Sequence, residues 1–353
     1  MPSLSTIVDV DITLSSGAVA TKGFNSLCLL GKSTSFETGF VLSEVRVYST
    51  IEEVVGDSDI KADGEIYKMA QIAFKQQPSM DSLYIGHLSA AAEALTVTEV
   101  NDLLESNNEW FGYAGEFNEA ADISTLDINL SGKYGFFLIE EAVGSLPSGL
   151  DALSHYSSLW HTKSTKTAGE KYVNVAVASR LLALQPGSYT GAFKELVGVE
   201  ASQYTTTEEG LLRPAGNSPA CKINQYSVTA GRAITWPAQT ASVQSVGFID
   251  TYIGTLFLQA RLEEDVYSVF VQQPKIPYTP AGAQSIIAAV SARLDQSVRE
   301  GFLKAQPAPV VELPDFSTIP DTAVSSRMLP DIKFFAEAAG AIHTVKIAGN
   351  VSI

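Results

Sequence analysis

Basic side chains are scarce in this sequence. Lysine and arginine number 23 against 39 aspartates and glutamates, a net charge of −16. Sequence-independent nucleic-acid binding works by displacing counterions with Lys and Arg. No basic cluster offsets the global sign, so direct nucleic-acid binding is not expected. Cysteine is scarcer still, with only Cys28 and Cys221. Two isolated thiols make no disulfide framework and fit a reducing compartment. No run of 18 apolar residues occurs, so membrane insertion is not expected. The opening MPSLSTIVDVDITL has neither a basic stretch nor a continuous apolar one and does not read as a signal peptide.

Catalytic constellations are missing as well. The four histidines, His87, His155, His161 and His343, include no i, i+4 pair and no metal-ligand spacing. His155 and His161 flank Trp160 in what reads as a strand or loop surface, and His343 reads as packed or partner-facing. Gly31-Lys32-Ser33 ends like a phosphate-binding loop, but the glycine required five residues earlier is Ser26, and Leu27 to Leu30 read as strand interior. The acidic runs Glu140-Glu141, Glu208-Glu209 and Glu263-Glu264-Asp265 read as solvated faces. There is no G-x-S-x-G elbow and no recognisable nucleophile setting for either cysteine. Enzyme, cofactor and metal are all left without residues.

What is present is organised hydrophobicity. Near the start, Val8, Val10, Ile12 and Leu14 alternate with polar residues; at the end, Val345, Ile347, Val351 and Ile353 share one parity while Thr344, Lys346, Asn350 and Ser352 share the other. Period two predicts half-buried strands at both ends. Short apolar runs at 25–31, 82–86, 109–115 and 133–140 predict buried strands. Between them, Ile66, Met69, Ala70, Ala73 and Phe74 form a helical stripe, and Thr96 with Glu99 forms a capping box. Residues 119–131 and 172–184 also read as helical, and 205–220 as the best linker. Two short strands around a turn follow at 223–237, then long helices over 247–272 and from Thr279-Pro280 onward. The core stripe of the second is Ala283, Ile287, Val290, Leu294, Val298 and Phe302, with an Asp295–Arg299 pair outside it. Strands alternating with helices predict an α/β fold with a mixed sheet, α+β overall.

Several of these stretches together resemble the tail sheath proteins of contractile-tailed bacteriophages. They are PGSYTGAFKELVGV (186–199), NQYSVTAGRAITWP (224–237), GFIDTYIG (247–254), KIPYTPAGAQSI (275–286) and the closing GAIHTVKIAGNVSI. SLSTIVDVDITLS and VRVYSTIEEV followed by GEIYKMAQIAFKQQPSMDSLYIG extend the resemblance, while 96–170 departs most. The resemblance implies a structural subunit with an outer α/β domain over 21–220 and an inner assembly domain over 221–353. An N-terminal β-arm (1–20) would join the inner domain, which would end in a C-terminal β-arm (338–353). It further implies six-fold rings of the protein stacked helically around a tail tube protein, with baseplate and tail terminator proteins as further partners. Such a sheath belongs to the virion, is assembled in the bacterial cytoplasm and contracts to deliver a genome.

The termini support this on physical grounds. An unpaired strand exposes backbone donors and acceptors, and adding it to a neighbour's sheet satisfies them. Giving to one neighbour and receiving from another is a heterologous contact, which builds rings and helical arrays. Val8, Val10, Ile12 and Leu14 on one arm and Ile342, Val345, Ile347 and Val351 on the other are the expected register-setting contacts. Gly17 and Gly340 are the expected hinges. Two rival readings stand beside this one: the sheath of a genome-free phage-like particle, and a cytosolic α/β enzyme or binding module.

Overall fold

The computed structural model describes residues 23–348 apart from 90–94, 131, 141, 144–149, 151–152, 155, 164–169, 213–221, 243–246, 331 and 347. Its centre is an eight-stranded sheet. In chain order the strands are β1 (Ser26–Lys32), β2 (Val45–Tyr48), β3 (Ser82–Leu88), β4 (Gly112–Gly115), β5 (Tyr134–Ile139), β6 (Ser157–His161), β7 (Ile223–Thr229) and β8 (Arg232–Trp236). They lie in the order β2-β3-β1-β4-β5-β6-β7-β8. The six central strands, β3 to β7, are parallel, whereas β2 and β8 close the two edges antiparallel. The mixed α/β sheet expected from the alternating pattern is present.

Parallel strands are buried on both faces, which explains their continuous apolar runs. Leu27, Leu29, Leu83, Ile85, Phe136 and Trp160 point to one face. Cys28, Leu30, Tyr84, Tyr113, Phe137 and Leu159 point to the other. The first face is covered by α2 (Glu65–Lys75), α5 (Val173–Leu182) and the start of α7 (Ile249–Gln272). The second is covered by α3 (Val97–Ser106) and α4 (Ala120–Asn129). A short α1 (Ile51–Gly56) follows β2. Helix α5 is apolar nearly all round, and every residue except Arg180 is buried.

Local signals set the boundaries. Thr96 and Glu99 make the expected capping box at the start of α3. The turn between β7 and β8 carries Ala230 and Gly231 with φ of 50° and 83°, the paired left-handed geometry of a two-residue hairpin. The stretch read as a linker begins with a helix, α6 (Thr206–Leu212), in which Leu212 is buried. Residue 221 was the expected start of a second domain, yet β7 continues the first sheet: Leu159, Trp160 and His161 pair with Ile223, Asn224 and Gln225. An apolar, alternating strand finds its partner in the open edge of β6 whatever the loop between them.

A third core lies beyond the sheet. Leu258, Leu262 and Val266 from α7 pack with Ile286, Val290 and Leu294 from α8 (Pro280–Arg299), closed by Phe302 and Leu303. Helix α7 serves two cores, since Ile249, Ile253 and Phe257 at its start pack under the sheet. Its 24 residues make it a rod of about 36 Å that joins the sheet layer to the helical pair. Glu263, read as solvated, is 2 % exposed, because this rod is covered on more than one side; its carboxylate accepts from Gln259. His161 is also buried rather than at a surface, with Nδ1 bonded to Tyr204 Oη at 2.7 Å.

Candidate assembly interface

Two very short strands, β9 (Val310–Glu312) and β10 (Lys333–Phe335), pair antiparallel beside the helical pair. Val311 and Phe334, the middle residues, face the third core. The alternate residues face outward, and Val310 and Phe335 are 52 % and 59 % exposed. Among the described residues no further strand joins this ribbon, so each strand has one unpaired edge. A two-stranded ribbon is marginal alone and is held here by its packed face. Helix α9 (Asp321–Ser325) lies in the connection between the strands.

The chain leaves β10 along the segment after α8. Lys304 N–H donates to Glu337 O at 2.7 Å, and Ala339 N–H donates to Phe302 O at 2.8 Å. An ion pair of 2.8 Å between Lys304 Nζ and Glu337 reinforces this. Gly340 follows with φ +61°, a left-handed position where a side chain would be strained, and the space around its Cα is open. Residues 341–346 then run without regular structure, and the strand expected here has no partner strand among the described residues. Ile342 and Val345, two of the expected contact residues, are 83 % and 69 % exposed. Val8, Val10, Ile12, Leu14, Gly17, Ile347 and Val351 lie outside the described residues.

The open edges of the ribbon can pair with more backbone, and a strand added there would cover the exposed apolar side chains. The other candidate residues make contacts within the chain. Lys32 ends β1 and lies over the Phe117 ring, and the residues before it are strand, as expected. His87 is held by Phe40 O and Ser33 Oγ, both at 2.8 Å. Glu208 pairs with Lys163 at 2.8 Å. Among the described residues no group of three His, Cys, Asp or Glu side chains could hold a metal ion, and no helix is long and apolar enough to cross a membrane.

The chain matches, over 98 % of its length and 97 % of the other, a subunit of the helical sheath of the anti-feeding prophage (AFP) in its contracted state, with TM-score 0.68 and 16 % identity. It has the fold of a contractile sheath subunit. The sheath of the extracellular contractile injection system PVC, also contracted, is similar at TM-score 0.65 and 11 % identity, over 99 % of this chain and 95 % of that one. The sheath tail protein Lin1278 from Listeria innocua is similar at 0.54 and 8 %, over 85 % and 90 %. By sequence, residues 249–308 match the family described as E217 tail sheath protein gp31-like, C-terminal domain. That span covers α7, α8 and the turn through Phe302 and Leu303, the third core of the sheath fold. Compared by sequence with curated proteins, the chain matches none. The resemblance read from the sequence thus holds for the fold throughout and for the sequence over the helical pair.

What sequence reasoning missed is the ribbon. Three-residue strands are too short to display a period, and the parity of Val310-Val311-Glu312 becomes visible only once its partner is known.

Proposed function

We propose that the protein is a structural subunit, not an enzyme, of a contractile tail sheath. In this reading it polymerises as stacked six-fold rings around a tail tube, between a baseplate and a tail terminator. Contraction then drives the tube through a host envelope to deliver a genome. The observation that carries the proposal is the open-edged ribbon of β9 and β10 with an exposed, apolar-studded arm leaving beside it. The arm of one copy, through Ile342, Val345, Ile347 and Val351, adds to a neighbour's ribbon. The N-terminal arm, through Val8, Val10, Ile12 and Leu14, does the same on another neighbour. Gly17 and Gly340 let the bodies reorient while the arms stay paired.

Charge is consistent with this division of labour. Residues 249–353 hold 11 acidic and 8 basic side chains, against 28 and 15 in residues 1–248. The near-neutral part can approach its copies closely, while the acidic part favours the solvent side. Work on contraction comes from two packings of the same interfaces. A difference of about 1 kcal/mol per subunit, repeated over the array, is on the scale that such packings supply.

Electron microscopy of the purified protein, intact and lacking residues 341–353, tests the proposal. The intact chain is expected to form tubes or stacked rings and the truncated chain to remain small. Tubes unchanged by the truncation would remove the arm from the assembly, and an intact chain that stays monomeric at all concentrations would count against the sheath reading. The similarity to the sheath of an extracellular contractile injection system supports a second reading, the sheath of a genome-free particle. Capsid and portal genes beside this one would decide for a phage.

A further inference from the structure

From Phe335 to Lys346 every side chain is exposed except one, that of His343. Its ring enters a cage of three aromatic rings: Phe248 at 4.9 Å and 88°, Phe193 at 5.7 Å and 87°, and Trp236 at 5.7 Å and 52°. Two of these contacts are edge-to-face, the arrangement in which a ring edge meets a π face. Nε2 of the imidazole lies 2.8 Å from Thr190 Oγ1. The same hydroxyl neighbours the carboxylate of Asp250, in the first turn of α7.

The cage is assembled from distant pieces of chain. Trp236 ends β8, Phe248 precedes α7, and Phe193 comes from the loop after α5. Phe193 sits at φ +61°, a left-handed position that a bulky residue rarely adopts. Hydrogen bonds hold it there: its N–H donates to Thr235 O at 2.8 Å, and the Lys194 N–H donates to Thr235 Oγ1 at 2.9 Å. Strain kept in place by surrounding bonds marks a position whose geometry is used. Here it turns a ring toward Trp236, at 5.1 Å, and toward His343.

We infer that His343 anchors the root of the C-terminal arm to its own subunit, so that the part of the arm free to engage a neighbour begins at Thr344 and Ile342 drops out of the expected contacts. This rests on the sheath reading and moves the expected pivot from Gly340 to the far side of the anchor. Gly340 makes the bend that brings the imidazole to the cage. The anchor ties the arm to the start of α7, the rod shared by the sheet and the third core, and so fixes the direction in which the arm leaves. His343 is a positioning residue: it need not touch the neighbour.

Nitroxide labels on the full-length chain test this. With Cys221→Ser as background, one label is placed through Ala341→Cys and another through Val345→Cys. The expected result in the free subunit is a restrained label at 341 and a mobile one at 345. His343→Ala should make 341 as mobile as 345 without moving the melting temperature, and His343→Phe, which keeps a ring in the cage, should restore most of the restraint. Thr190→Val, which removes only the hydrogen bond, should release 341 in part. Equal mobility at 341 and 345 in the unsubstituted chain, or no response of 341 to His343→Ala, would overturn the inference. Tube formation by the unsubstituted protein is followed in parallel. Labels that behave as stated without any tubes would leave the anchor standing and remove the sheath reading.

Discussion

Arg293 grips Asp265 with two N–H donors, Nε to Oδ2 at 2.6 Å and Nη2 to Oδ1 at 3.0 Å, and this fork ties α8 to α7. The guanidinium side chain is only 13 % exposed. Paired donors of this kind fix angle as well as distance. Arg293→Lys keeps the charge and loses the fork, and is expected to destabilise by about 1 kcal/mol; Arg293→Ala is expected to lose about 2 kcal/mol. Urea unfolding of the free subunit measures both.

Gly254 on α7 faces the ring of Phe302, and a Cβ there would stand 2.4 Å from its nearest ring carbon. Helix propensity favours alanine over glycine, by about 1 kcal/mol, but the ring has no room to yield inside the third core. Gly254→Ala is therefore expected to destabilise, by about 1–3 kcal/mol. A gain in stability from this substitution would mean that Phe302 is freer than its burial implies.

Glu116 follows β4 and accepts from Ser35 Oγ at 2.6 Å. Burial pushes its carboxyl up to about 7 from 4.5. Between these values the folded chain holds a proton that the unfolded chain has released. Stability from this group is thus complete below pH 4.5 and falls as pH rises toward 7. Glu116→Gln keeps an acceptor for Ser35 and removes the titration. Its stability is expected to match the parent near pH 4 and exceed it at pH 8 by roughly 3 kcal/mol. Melting curves across that range give the comparison.

The acidic excess in residues 1–248 makes assembly sensitive to salt. Copies in an array repel one another through this excess, and at physiological ionic strength the repulsion is damped beyond about 8 Å. Raising salt from about 20 mM to about 500 mM should lower the concentration at which tubes sediment. A rise in that concentration instead would place ion pairs between copies in control of assembly.

Much of the sheet was legible because its signals are local or long. The runs at 82–86 and 133–140 are apolar on both parities, as strands covered on both faces must be. Thr279 caps α8 as its sequence suggests, with Oγ1 accepting from the Gly282 N–H at 3.2 Å. Other features depend on tertiary partners. The stripe of α8 buries Ile286 where the pattern suggested Ile287, since α7 lies across that side. The expected Asp295–Arg299 pair treats α8 as isolated, whereas the helix uses Arg293 to reach its neighbour. Residues 206–212 read as linker because threonine, glutamate and glycine dominate them, yet Leu212 finds a place in the core. The aromatic cage was invisible, because no spacing in the sequence brings Phe193, Trp236 and Phe248 to one histidine.

The central position of β1 bears on when a subunit becomes competent to assemble. Lying between β3 and β4, β1 cannot be paired on both sides until Gly115 has been made. The far edge of the sheet waits for Trp236. Such crossover pairing is slow, because long loops close before any contact rewards them. The packing of α7 on α8 is between sequence neighbours and forms quickly. During synthesis the slow, non-local sheet therefore emerges before the helical pair and the ribbon. Translation order thus gives the sheet time to form before the open-edged ribbon exists.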